Sequence, residues 1–278
     1  MTAADEADTS ELREELSSLA ASTRALVEWY EATGTEALPA SSVPATAQPQ
    51  SPTSSQSQSR SPSPSPSPSQ SQSQSQSPSP SPSPSQDDRR VRLSLLAEEV
   101  RSCTRCGLSA QRTQTVFARG NPHAELCFIG EGPGQDEDRL GEPFVGKAGQ
   151  LLDRMIAAMG YARDEVYVAN IVKCRPPDNR KPEPDEMAAC SPFLVQQLEL
   201  IQPKVLVALG ATAVQGLIGT TEGITRLRGK WKLYKGMTPI MPTFHPAYLL
   251  RNPAAKREVW SDLQEVMRHL GKGAPAKG

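Results

Sequence analysis

The residues of this chain whose types and spacing could do chemistry are five cysteines, three histidines and one run of glycines and acids. Cys103 and Cys106 form CTRC, a C-x-x-C pair that offers two sulfurs to one site. Cys174 and Cys190 flank a proline-rich segment, RPPDNRKPEPDEMAA. Four thiolates gathered by folding could bind Zn²⁺ or an iron–sulfur cluster, and the wide second spacing does not choose between them. Cys127, inside the apolar run LCFIG, reads as a small buried core residue. An odd cysteine count behind an acidic amino terminus, Asp5, Glu6 and Asp8, fits metal ligands plus a spare better than a disulfide framework.

The stretch GEGPGQDEDRLGEPFVGKAGQLL, Gly130 to Leu152, follows an apolar run and opens an amphipathic one. It is not a phosphate cradle, because it lacks G-x-x-x-x-G-K-[ST] and because Asp136, Glu137 and Asp138 would repel a phosphate. Its glycines let the backbone come close to a flat ligand, and Phe144 in EPFVG could supply a stacking face. A base-like ligand and a purely structural loop both remain open on these residues alone. Of the histidines, His123 and His269 read as structural or merely exposed, whereas His245 follows an apolar run in TFHPAYLL.

Four apolar β-like runs must position these groups: Ala124 to Gly130, Val166 to Val172, Lys204 to Gly210 and Thr238 to Phe244. Helical patterns at Gln150 to Met159, Glu186 to Ile201 and Ala211 to Ile218 alternate with them, which predicts an α/β protein with a mainly parallel four-stranded sheet covered on both faces. Such sheets bind ligands at the carboxyl ends of their strands. GEGPG, Asn170 and His245 each fall at such an end.

Ahead of this domain, expected over 87–278, the chain reads differently. Residues 1–39 hold nine acids and two bases, with Leu12, Leu16, Leu19, Leu26 and Tyr30 on one helical stripe. The stripe suits docking on this domain or on a protein partner, and its charge suits an acidic arm that competes with a polyanion. Residues 40–86 are almost wholly Ser, Pro, Gln, Ala and Thr and cannot bury a core, so they read as a disordered linker spanning roughly 40 Å. The formal net charge is −1, which leaves +5 on residues 87–278, a balance that suits a polyanionic partner. No apolar run reaches the ~20 residues that a membrane span needs, and a cytoplasmic monomer is expected.

GEGPGQDEDRLGEPFVGKAGQLLD, VYVANIVKCRPPDNRKPEPDEMAAC and HPAYLLR, with CTRCGL upstream, occur in the order in which they occur in the iron–sulfur family 4 uracil-DNA glycosylases, and from about Leu93 to Leu270 the chain resembles that family. The resemblance implies a three-layer α/β/α fold, a [4Fe–4S] cluster on Cys103, Cys106, Cys174 and Cys190, and uracil-containing DNA, single- or double-stranded, as substrate in base-excision repair. It also implies roles for individual residues. Phe144 would stack on an extruded uracil, Glu131, Gly132 and Pro133 would pack against its edge, and Asn170 would accept from N3–H and donate to O4. His245 would stabilise charge developing on O2. Related families carry an aspartate where Gly132 stands, which leaves Glu131 and Glu137 as the nearby carboxylates. Glu137 is preferred, to place the water or to crowd the position of thymine's 5-methyl, and the alternative is that backbone groups hold the water with no side chain as a strong base. Leu249 and Leu250 would form a wedge, and Arg251, Lys256, Arg257, Arg175, Arg180 and Lys181 would meet phosphates. Two alternatives stand beside this reading. A covalent uracil-capturing relative is disfavoured because no histidine lies between Cys174 and Cys190, and a four-cysteine zinc or redox module would lack the activity.

Overall fold

The computed structural model describes residues 86–273. The helix expected within 1–39, and all but the last residue of the expected linker, lie outside the described residues. Among the described residues six strands form one sheet: β1 (Arg119–Gly120), β2 (Leu126–Gly130), β3 (Tyr167–Asn170), β4 (Val205–Leu209), β5 (Lys232–Tyr234) and β6 (Thr238–Thr243), in the order β1-β3-β2-β4-β6-β5. The four expected strands are the parallel centre, β3-β2-β4-β6. The expected count of four is corrected to six by two short antiparallel edges, β1 on β3 and β5 on β6. Each edge strand has only two or three residues and is partly exposed, so neither leaves an apolar run in the sequence.

The helices, in chain order, are α1 (Gln86–Arg101), α2 (Gln135–Leu140), α3 (Lys147–Ala158), α4 (Pro184–Ile201), α5 (Ala211–Ile218), α6 (Ile224–Leu227), α7 (Pro246–Arg251) and α8 (Lys256–His269). Every residue of β2 and β4 is buried, because the sheet is covered on both faces. Alternation then sorts the side chains. Leu126, Phe128, Val205 and Val207 pack with Leu151, Met155 and Ile156 of α3 and Trp260 and Leu263 of α8. Cys127, Ile129, Leu206 and Ala208 pack on the other face with Val100 of α1, Phe193 and Leu194 of α4 and Val214 of α5. This is the three-layer α/β/α arrangement, in which each large apolar side chain taken from water contributes about 1.5–3 kcal/mol.

The chain runs from the central β2 to β3 on one side and then crosses to β4 on the other. A crevice opens at the carboxyl ends where that direction reverses. Among the described residues no helix is long and apolar enough to cross a membrane.

Candidate active site

The carboxyl ends of β2, β3, β4 and β6 open on one cavity of about 650 Å³. Glu131, Gly132, Pro133, Phe144, Asn170 and His245 all line it, so the plate, the carboxamide and the imidazole drawn from three parts of the chain share one pocket. Asn170 is the last residue of β3, in register with Gly130 of β2, and is 2% exposed. Among the described residues its Oδ1 is buried without a hydrogen-bond partner. Its backbone carbonyl accepts from the buried Lys173 ammonium at 2.9 Å, which fixes the end of the strand. Gly130 is required here by closeness: a Cβ would stand 2.4 Å from Asn170 Oδ1 and 2.5 Å from Phe144 Cζ.

His245 is the N-cap of α7, whose first residue, Pro246, has no N–H to lose and a φ already suited to a helix. The ring Nδ1 accepts the Ala247 backbone N–H at 3.1 Å. That bond leaves the proton on Nε2, so the ring is a neutral donor. Burial, with Arg251 nearby, pushes its pKa down to about 4, so the ring is uncharged at neutral pH. The ring centroids of Phe144 and His245 are 5.7 Å apart and their planes meet at 28°.

The two candidate carboxylates differ in their surroundings. Glu137 Oε1 accepts from the backbone N–H groups of Val145 (3.0 Å) and Gly146 (2.9 Å), and Oε2 accepts from that of Gly134 (3.1 Å). Both of its oxygens therefore fasten the loop. Among the described residues the Glu131 carboxylate, half-buried in the pocket wall, has no hydrogen-bond or ion-pair partner.

Several expected DNA contacts lie elsewhere. Leu249 is corrected from a wedge to a core residue: it is fully buried against the α3 and α8 layer, because α7 turns that face inward. Leu250 and Tyr248 hold the exposed face of α7 instead. Lys256 is likewise buried rather than on the DNA side, while Arg257 is exposed. Arg251 and Arg180 line the pocket mouth, and Arg180 also pairs with Glu186 at 2.6 Å. Arg175 bonds Asn179 at 2.8 Å, and Lys181 bonds Gln215 at 2.8 Å. The sequence reading missed the opposite wall, Gly210 to Thr212 with Ile224 and Thr225, although the strand-end rule applied to β4 points to the first of these.

Cys103, Cys106, Cys174 and Cys190 line one small recess with Arg105, Arg112 and Lys173, and all four are free thiols. Arg112 donates to Cys174 Sγ at 3.2 Å, and the Lys173 backbone N–H donates to Cys190 Sγ at 3.3 Å. Burial raises the Cys174 thiol above its ordinary value, against the pull of Arg112. It raises Cys190 to about 11, against Lys173. Cys127 lies apart, wholly buried in the sheet, with its thiol raised far above the ordinary range by burial alone. Among the described residues no three His, Cys, Asp or Glu side chains gather as they would around a single metal ion.

A doubly wound α/β domain whose strand ends converge an aromatic face, an unsatisfied carboxamide and a neutral imidazole is built to hold one flat polar ring. The family model described as the Uracil DNA glycosylase superfamily matches residues 117–264. A Type-4 uracil-DNA glycosylase of Thermotoga maritima is 44% identical over 183 residues, 65% of this chain and 95% of that protein. Proteins of the same description from Saccharolobus solfataricus and Sulfurisphaera tokodaii are each 43% identical, over 64% and 63% of this chain and 86% and 83% of theirs. The chain belongs to the uracil DNA glycosylase superfamily.

Proposed function

We propose that the chain is a uracil-DNA glycosylase, a hydrolase that extrudes uracil from single- or double-stranded DNA, cleaves its N-glycosidic bond and leaves an abasic site for base-excision repair. One observation carries the reading: Asn170, 2% exposed, presents a buried Oδ1 that has no partner among the described residues, in the cavity that Phe144 and His245 also line. An unpaired buried acceptor costs about 1–3 kcal/mol, which a bound N–H recovers. Uracil carries N3–H beside O4, and a carboxamide accepts from the first and donates to the second. Cytosine has the reverse pattern at these two places, which leaves like facing like.

The target base is inaccessible inside a duplex and must be turned out. Stacking on Phe144 contributes about 1–3 kcal/mol towards holding it there. Gly132 and Pro133 close against its edge. As the glycosidic bond stretches, charge collects on the uracil oxygens, and the Nε2–H of His245 donates to O2. A neutral donor suits this step because its bond strengthens as the anion forms, acting on the transition state more than on bound substrate. Glu131, the pocket carboxylate without a partner among the described residues, orients the water that attacks the sugar, while Glu137 keeps the loop in shape.

The cysteine recess suits a cluster by its donor chemistry: four free thiols line it together with three cationic residues. Cys103, Cys106, Cys174 and Cys190 would hold a [4Fe–4S] group, which when bound supplies a covalent tie between the segment after α1 and the β3–α4 region. Tyr248, Leu250, Arg251, Arg175 and Arg180 form the DNA-facing rim, with the exposed apolar pair entering the groove and the arginines on phosphates. Residues 87–278 act as the catalytic domain, tethered by 40–86 to an acidic docking segment, 1–39, for a protein partner. The enzyme works as a monomer in the cytoplasm.

The test is release of free uracil from a single-stranded oligonucleotide by purified protein. Asn170→Ala and His245→Ala are each expected to lower the rate ~10²–10³-fold. Failure of the unaltered protein to release uracil refutes the function, and an unchanged rate in either variant refutes the site.

A further inference from the structure

Phe144 sits in the left-handed region, φ 55°, which bulky residues avoid at a penalty on the order of 1–3 kcal/mol. It holds that conformation because the loop is fastened on both sides of it. On the far side Glu137 takes the N–H groups of Val145 and Gly146. Beneath it, the Phe144 carbonyl rests on Gly149, where a Cβ would come within 1.9 Å of the oxygen.

On the near side the fastening comes from outside the pocket. Arg119, on the edge strand β1, is 9% exposed and donates from Nε to the Pro143 carbonyl at 3.1 Å. Its Nη2 pairs closely with Asp153 of α3. Asp153 also meets Arg163 at 3.2 Å, and Arg163 pairs with Glu142 at 2.5 Å. Glu142 and Pro143, the two residues before the ring, are thus both held by arginines. Burial lowers the Arg119 pKa from its ordinary value against the support of Asp153, and the group stays charged. Among the described residues Arg119 Nη1 is buried without a partner, so the desolvation of the guanidinium is offset through Nε and Nη2, and the carbonyl that Nε holds is the one directly ahead of the strained residue.

We propose that Arg119 is the positioning residue for Phe144: its Nε–H on the Pro143 carbonyl keeps the backbone turned so that the ring faces the base pocket. The proposal rests on the reading of Phe144 as the surface on which uracil stacks. Arg119 touches no substrate. It acts through the peptide it holds, so its contribution disappears when there is no ring to aim. Nothing in the motif EPFVG announces this, because the donor lies 24 residues upstream in the chain.

A double-mutant cycle tests it, with single-turnover uracil release from a single-stranded oligonucleotide as the readout. Arg119→Met removes the donors, and Arg119→Lys keeps the charge for Asp153 but loses the sidelong Nε–H. Each is measured with Phe144 present and with Phe144→Ala, beside the melting temperature. With Phe144 present, both variants are expected to lower kcat/KM about tenfold, the scale of one hydrogen bond from a charged donor, chiefly through weaker base capture. In the Phe144→Ala background the further loss is expected to stay below about twofold, because the ring is gone. Equal losses in the two backgrounds, or full activity in Arg119→Lys, overturn the positioning role. If Phe144→Ala alone leaves uracil release unchanged, the stacking reading fails first and the proposal fails with it. Should Arg119→Met not fold, Arg119→Lys carries the same cycle, since it retains the ion pair.

Discussion

The protonation state of His245 gives the sharpest prediction. An exposed imidazole divides its charge near pH 6.5, but burial and the neighbouring Arg251 push this ring down to about 4. A displacement of that size favours the neutral form by about 3 kcal/mol. The direction of the linkage follows from the proton count. Between pH 6.5 and 4 the unfolded chain binds a proton at this site that the folded chain does not. Stability from this group is therefore complete above pH 6.5 and is lost as pH falls towards 4. Activity should follow the folded ring: His245 keeps Nδ1 as an acceptor for the Ala247 N–H, and the uracil-release rate should show no loss from this group between pH 7 and about 5. Replacing Arg251 with Met removes the second cause, so the His245 pKa should rise towards its ordinary value and the acid limb of the pH profile should move up with it. Nitrogen-15 NMR of the ring, read beside single-turnover rates, measures both. A ring that titrates near pH 6.5, or carries its proton on Nδ1 at pH 7, refutes the neutral-donor reasoning.

Three further outcomes are expected. Gly130→Ala should lower uracil release at least as strongly as the loss of one pocket contact, with a modest change in melting temperature, because the new methyl meets Asn170 and Phe144 on the pocket side; an active Gly130→Ala enzyme would contradict the geometry. Leu249→Ala should destabilise the fold by about 2–5 kcal/mol in chemical denaturation, whereas Leu250→Ala should leave stability nearly unchanged and weaken activity on duplex more than on single strands. Cys106→Ser and Cys190→Ser should each reduce iron and sulfide bound per chain, and full content in both variants would count against the ligand set.

The elements that were legible in the sequence are those that advertise themselves by burial. LCFIG, YVAN and VLVAL are buried throughout, and apolar but for the terminal Asn170, because helices cover both faces of the sheet, and that pattern cannot be confused with an exposed strand. The edge strands were not legible, since two or three partly exposed residues carry no periodicity. In the pocket, Asn170 and His245 were readable because each stands at the end of such a run. The surroundings of Glu137 and Glu131 were not, because a hydrogen bond to a backbone N–H leaves no trace in residue type. Glu137 is eight and nine residues from two of the N–H groups it holds, and only the folded loop separates a fastening carboxylate from one without partners. Leu249 and Leu250 are adjacent and identical in type, and the sequence assigned both to the wedge. The orientation of a six-residue helix sends one into the core and the other to solvent.

The most direct test of the central claim is a crystal structure of the protein with uracil, or with a uracil-bearing single strand, in the pocket. The account predicts the pyrimidine lying on Phe144, with Asn170 Oδ1 at hydrogen-bond distance, about 2.9 Å, from N3 and His245 Nε2 at a similar distance from O2. Uracil seated in another cavity, or seated here with Asn170 and His245 both turned away from it, would contradict the account.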